Sequence, residues 1–245
     1  MKVTNQKKSR LLFSETTENS ILNVNLSALI DNWKQLFSKV KNSELAISIK
    51  ADAYGLGLEK ISKELKKIGC KSFFVASANE ALDLRKLYKK INIFLLSNAY
   101  EKDLNIKLIK NNIILVLNNK NDLKNINKIS KYLNKKVKCA LQFDIGMNRL
   151  GFGFDDLKYI SNYIEKTIDV VLVMGHLSYS ENKKSSFNTK QLNQFEKIKN
   201  FLAQYKLSYS LANSNGVYLG NKYHYDMCRV GGILYGLSLN KDLPE

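Results

Sequence analysis

The feature that most constrains this chain is one repeated alternation: a short apolar run, a polar turn, then a helical stretch. Eight such runs follow one another: ELAISIK ending at Lys50, FFVAS at 73–77, INIFLLS at 91–97, IILVLN at 113–118, VKCALQFD at 137–144, DVVLVMGHL at 169–177, LSYSLAN at 207–213 and YDMCRVG at 225–231. Most lack a clean apolar–polar alternation, the pattern of strands covered on both faces. The intervening helical stretches supply the crossovers that parallel strands require. Eight units within 245 residues therefore predict an α/β fold, a (β/α)8 TIM barrel. Ahead of the first run, Leu26, Leu29, Trp33, Leu36 and Phe37 recur at helical spacing, predicting an amphipathic helix over 25–39. Further helices are expected from about Asn79, after a cap at Asp155 or Asp156, and from about Asn188 to Gln204. An open doubly wound sheet is the rival architecture. Its nucleotide motifs are missing, with no G-x-G-x-x-G after strand one and no G-x-x-x-x-G-K-[ST], and YGLG at 54–57 is the nearest approach.

Composition excludes several other classes. Lys and Arg total 39 against 22 Asp and Glu, a formal charge of +17. The lysines are spread along helical stretches such as KISKELKKIG, and Arg10, Arg85, Arg149 and Arg229 are the only arginines, so nucleic acid is not an expected partner. The longest apolar runs are strand-sized, far below the roughly 20 residues that span a bilayer, so no membrane partner is expected either. Residues 1–20 read as a polar tail without the apolar core of a signal peptide. Cys70, Cys139 and Cys228 are far apart and form no C-x-x-C, which fits a reducing compartment, and two histidines leave little material for a metal centre. The expected location is cytoplasmic.

In a (β/α)8 barrel the chemistry sits where strands end. Lys50 ends the first run, Asp144 the fifth and His176 the sixth; Asn213 and Ser214 follow the seventh, and Arg229 closes the eighth. Lys50 is either a terminal lysine reaching for water or a functional amine. In FDIGMNRLGFG, three glycines flank Arg149, whose planar fork suits a carboxylate or phosphate; pairing with Asp144 or Asp155 is the plainer alternative. Ser214 with Gly231 and Gly232 provides the parts of a phosphate nest after strands seven and eight. His176, if it lies beside Arg229, is expected to stay neutral because a like charge opposes its protonation. His224, in a Lys/Tyr-rich stretch, reads as structural.

The ordered segments ISIKADAYGLG, FDIGMNRLGF, GHLSYS, LANSNG and YDMCRVGGILYGL resemble the N-terminal, cofactor-binding barrel of alanine racemase, as does the opening NVNLSALIDNW. The resemblance covers essentially residues 21–240. It implies pyridoxal 5′-phosphate (PLP) as cofactor, with Lys50 in Schiff-base linkage to it and Tyr54 contacting its phosphate. Ser214, Gly231 and Gly232 match the phosphate cup, with Asn213 in the same segment as Ser214. Arg229 matches the arginine facing the pyridine nitrogen, His176 its neighbour, and Arg149 the arginine near the substrate carboxylate. The implied activity is interconversion of L- and D-alanine by two-base proton transfer at Cα, supplying D-alanine for the cell wall, in a head-to-tail homodimer. Lys50 and Arg149 are the catalytic residues this assigns, and no metal is implied.

Two departures qualify the resemblance. Gln142 stands where the family usually has a lysine, often carbamylated. The family also continues into a C-terminal β-rich domain bearing the second catalytic base, a tyrosine, so residues 241–245 read as the start of a linker to a domain absent from this chain. Tyr235 does not match that tyrosine. Impaired racemisation by the chain alone is the expectation, with Tyr179 the first candidate for a replacement base. A stand-alone PLP-binding barrel that carries cofactor without turnover is the alternative function.

Overall fold

A computed structural model describes residues 22–40, 42–98 and 101–237; the expected polar tail at 1–20 and the expected linker start at 241–245 lie outside the described residues. The first helix, α1 (Leu26–Lys39), begins where the Asn25 side chain accepts the N–H groups of Ser27 and Ala28, and it buries Leu29, Trp33 and Leu36. The strands are β1 (Glu44–Ser48), β2 (Ser72–Val75), β3 (Asn92–Leu95), β4 (Ile114–Leu117), β5 (Val137–Gln142), β6 (Ile168–Met174), β7 (Tyr209–Ser210) and β8 (Met227–Val230). Between them run α2 (Lys50–Tyr54), α3 (Leu58–Lys67), α4 (Ala78–Leu87), α5 (Lys102–Lys110), α6 (Lys120–Leu133), α7 (Leu157–Ser161) and α8 (Ser186–Phe201).

Every ladder is parallel, in the order β7-β6-β5-β4-β3-β2-β1-β8. The circle closes between β7 and β8, where Asp226 N–H donates to Tyr209 O at 3.0 Å and Arg229 N–H to Ala212 O at 2.9 Å. The predicted barrel is the fold observed. Alternate residues divide two cores. Ala46, Phe74, Phe94, Ile114, Val116, Ala140, Leu172, Met174 and Met227 fill the barrel, whereas Leu45, Ile47, Phe73, Leu115 and Cys228 face the helices. Phe74 and Phe94 stack within this interior with centroids 4.5 Å apart.

Three local expectations shift. The seventh strand contracts to Tyr209–Ser210. The helix from Asn188 starts two residues earlier, with Ser185 accepting Phe187 N–H, and ends at Phe201. Asp156 precedes the single-turn α7 without capping it by its side chain; its carboxylate instead accepts Gly153 N–H at 3.0 Å, at the head of the 3-10 turn Phe154–Asp156, and pairs with Lys120 at 2.7 Å.

Candidate functional site

At the C-terminal mouth of the strands lies a cavity of about 240 Å³, lined by nine of the residues singled out from the sequence: Lys50, Tyr54, Arg149, His176, Asn213, Ser214, Arg229, Gly231 and Gly232; Asp144, also expected at a strand end there, is not among the lining residues. Gln142 joins them. No aspartate or glutamate lines this cavity among the described residues, so three basic side chains face it without an acid between them. A larger cavity, about 600 Å³, opens at the opposite end beside Lys89, Lys90, Lys135, Lys136 and Lys138, and holds none of the nine.

Lys50 follows β1 and begins α2, a turn wound the unusual way. Ala51, Asp52, Ala53 and Tyr54 have φ of 52°, 52°, 55° and 58°. Four L residues in the left-handed region cost on the order of 4–8 kcal/mol at 1–2 per residue. Local bonds oppose that cost. Ala53 N–H donates to Ile49 O at 2.9 Å, Gly55 N–H to Ala51 O at 2.8 Å and Gly57 N–H to Asp52 O at 3.0 Å, while the Asp52 carboxylate accepts Leu58 N–H at 2.7 Å. Tyr54 packs on Tyr235, centroids 4.8 Å apart, and the Tyr235 hydroxyl donates to Ser48 O at 3.0 Å.

Arg229 comes inward from β8 and is 7% exposed. It has no carboxylate partner among the described residues; its guanidinium donates to Ser210 O at 3.0 Å, Ser210 Oγ at 2.5 Å and Gly175 O at 2.6 Å. Burial lowers its pKa to about 10, which leaves it charged at neutral pH. His176 leaves β6 beside it. Burial first, then Arg229, Arg149 and Lys50, push the imidazole down to about 3, so it is neutral as expected.

Ser214 and Gly231 meet directly, the Gly231 N–H donating to Ser214 Oγ at 2.9 Å. A Cβ at Gly231 would collide with the Tyr54 hydroxyl, so only glycine lets the phenol approach this backbone. Asn213 braces the loop: its amide donates to Leu177 O at 3.0 Å and accepts from Gly216 N–H and Ser180 Oγ at 2.9 and 2.7 Å. Arg149 is carried by a loop that folds back on β5, with Phe152 N–H on Gln142 O at 2.8 Å and Asp144 N–H on Phe152 O at 3.0 Å. Neither expected carboxylate pairs with Arg149. Asp144 Oδ1 instead accepts the N–H groups of Gly146, Met147 and Asn148. Gln142, 6% exposed, donates to Leu150 O at 3.2 Å.

Tyr179 is 46% exposed and is not among the lining residues, and His224 is buried with its ring 2.9 Å from Val217 O. One residue that touches the site's scaffold escaped the sequence reading. Glu80 of α4 forms a capping box with Ser77, whose S-x-x-E spacing was the available signal, and it also reaches Asp52 in the left-handed turn.

The fold and this cavity define a class: (β/α)8 barrel proteins whose polar groups converge on an anion-receptive pocket at the C-terminal mouth. Within that class, residues 24–239 match the N-terminal domain of alanine racemase, and the chain belongs to that family. It is 39% identical over 204 residues to alanine racemase of Rickettsia bellii, covering 82% of this chain and 49% of that protein. It is 38% identical over 218 residues to the Rickettsia rickettsii enzyme, covering 88% of this chain and 61% of that one. The structure of alanine racemase from Bartonella henselae with covalently bound pyridoxal phosphate superposes with a TM-score of 0.84 at 30% identity, over 91% of this chain and 64% of that chain. The chain thus spans about half to two thirds of these relatives.

Proposed function

We propose that the chain is the cofactor-binding barrel of a PLP-dependent alanine racemase that interconverts L- and D-alanine. The observation that carries this reading is the meeting, in one cavity without acids, of the Lys50 amine with the Ser214–Gly231 pair and Arg229. These residues fit PLP. A phosphate needs donors and close backbone approach, which Ser214, Gly231 and Gly232 provide; the ring needs apolar and aromatic surface, which Tyr54 and Met174 add to the lining; an aldehyde needs an amine, which is Lys50. Arg229 would take the ring nitrogen as a donor, tied to three oxygens that fix its direction.

Bound PLP supplies electron withdrawal that acidifies the α-hydrogen of an amino acid joined to it. The chain's own contribution is placement and proton handling. Lys50 holds or returns the proton on one face of Cα, Arg149 orients the substrate carboxylate, and neutral His176 adds no charge behind Arg229. Among the described residues, Tyr54 is the one tyrosine lining the cavity, and the resemblance gives it to the phosphate, so no side chain there matches the tyrosine base required on the other face. Full racemisation then draws that base from a second domain in a homodimer. The D-alanine product serves cell-wall synthesis, and the protein works in the cytoplasm as domain 21–240 of a larger assembly.

The test uses the purified 245-residue chain with PLP. Borohydride should fix the cofactor on Lys50, and Lys50→Ala should abolish that fixation while the fold persists; trapping on another lysine would refute the assignment. Ser214→Ala should weaken PLP by about 1–2 kcal/mol, the scale of one charge-assisted bond. In D₂O, alanine should gain deuterium slowly with retention and little inversion, since losing one positioned base costs about 10²–10⁴-fold. Turnover at an ordinary enzymatic rate, about 1 s⁻¹ or more, would overturn the one-base reading. Bound PLP with no exchange would support the cofactor-carrying alternative.

A further inference from the structure

Outside the cavity, one carboxylate is tied to the turn that follows Lys50. Glu80 is the third residue of α4, in the loop-and-helix unit after β2. Its Oε2 accepts the N–H groups of Ala76 at 2.9 Å and Ser77 at 3.0 Å, completing the cap of α4. Its Oε1 crosses to the neighbouring unit and accepts Asp52 N–H at 3.1 Å. Asp52 is the middle of the left-handed turn, and its own carboxylate is directed onward to Leu58 N–H. Left-handed turns of L residues persist only where their surroundings over-determine them. The other polar bonds described above for this turn come from within residues 49–58, so they travel with it. The Glu80 bond comes from another strand's loop and fixes the turn relative to the barrel.

We propose that Glu80 is a positioning residue whose carboxylate pins the left-handed turn and so sets how Lys50 and Tyr54 enter the cavity. The consequence for cofactor binding rests on the function proposed above; the pinning itself does not. The key is the count of acceptors. A carboxylate accepts through both oxygens, whereas a carboxamide has one acceptor and an NH₂ that cannot face an N–H. A residue that merely caps α4 tolerates glutamine, since the capping box accepts Glu or Gln. A residue that both caps and pins does not. Burial opposes ionisation of Glu80, but the N–H bonds from Asp52, Ser77 and Ala76 outweigh it and hold its carboxyl below the usual range, so both oxygens are available at neutral pH.

The test compares Glu80→Gln, Glu80→Asp and Ser77→Ala in the full chain. Two quantities are read: hydrogen exchange of the 51–54 amides without cofactor, and PLP affinity by absorbance titration. Glu80→Gln should speed exchange in the turn and weaken PLP, each by about three- to tenfold, the scale of one hydrogen bond. Glu80→Asp, too short to reach both sites, should act in the same direction and serves if the glutamine variant folds poorly. Ser77→Ala, which removes the capping hydroxyl but leaves the backbone N–H groups of Asp52, Ala76 and Ser77 on the Glu80 carboxylate, should leave both quantities within about twofold of wild type. Unchanged turn exchange in both Glu80 variants, or an equal effect from Ser77→Ala, would overturn the proposal. If wild type fails to bind PLP, the proposed function falls while the exchange comparison still decides whether Glu80 pins the turn.

Discussion

His176 faces Lys50, Arg149 and Arg229 while itself uncharged. Its pKa, moved from 6.5 to about 3 chiefly by burial, has a consequence for stability. Between those two values the unfolded chain binds a proton that the folded chain refuses. The stability contribution is therefore complete above about pH 6.5 and falls as the pH drops through the window, by at most about 1.4 kcal/mol per unit. Denaturant unfolding of His176→Gln from pH 7 to pH 4 should show a shallower acid slope than wild type; superposable slopes would show that the ring is solvated. At this scale the sequence was readable wherever a residue ends a strand run. Lys50, His176 and Arg229 stood out because each ends an apolar run, and a barrel turns all such ends toward one mouth. Glu80 did not, because the S-x-x-E spacing announces only its helix cap, while its bond to Asp52 spans 28 positions.

Elements were legible where periodicity decided them and obscure where backbone torsion did. The alternation that marks β1 says nothing about α2, whose handedness is imposed by surroundings against the preference of Ala, Asp and Tyr. Ala51→Gly should therefore stabilise the protein by about 0.5–1 kcal/mol, glycine being content at φ 52° but looser when unfolded, and a lower melting temperature would count against a strained turn. Gly151 makes the opposite case. It sits at φ 128°, and a Cβ there would strike the backbone of Asp144 and Phe143. Gly151→Ala should cost at least about 2 kcal/mol and loosen the loop that presents Arg149, read as a lower denaturation midpoint with a weaker grip on anionic ligands. The shortness of β7 also escaped prediction, since LSYSLAN keeps apolar residues at 207, 209, 211 and 212 across its whole length, but its later residues bond to β8 and the segment leading into it one at a time rather than as a ladder.

Across the whole molecule, the three cysteines report on integrity. Cys70 precedes β2, Cys139 lies in β5 and Cys228 in β8, and all are buried and unpaired. Burial pushes the thiols of Cys70 and Cys228 up to about 12 and that of Cys139 higher still. Alkylation of the native protein should be slow, and Cys139 and Cys228 should react at one shared rate if the strands that hold them, in a single closed sheet, open together. Early labelling of Cys228 alone would reveal a separate opening at the β8–β1 seam. The eightfold pattern made this scale fully legible, whereas its charge was not. Parallel winding sends the helix C-termini to the end opposite the site, where lysines complement the helix dipoles, so much of the +17 is placed by topology.

The turn at Ala51–Tyr54 also carries a stereochemical consequence. Its backbone torsions are those that mirror-image amino acids prefer, so the protein holds alanines 51 and 53 in the conformation of the opposite enantiomer. A chain assembled by chemical ligation with D-alanine at either position would relax that stretch without altering its path. The molecule proposed to take part in exchanging the hands of alanine keeps, next to the lysine proposed to act in it, two alanines of one hand folded as though they were the other.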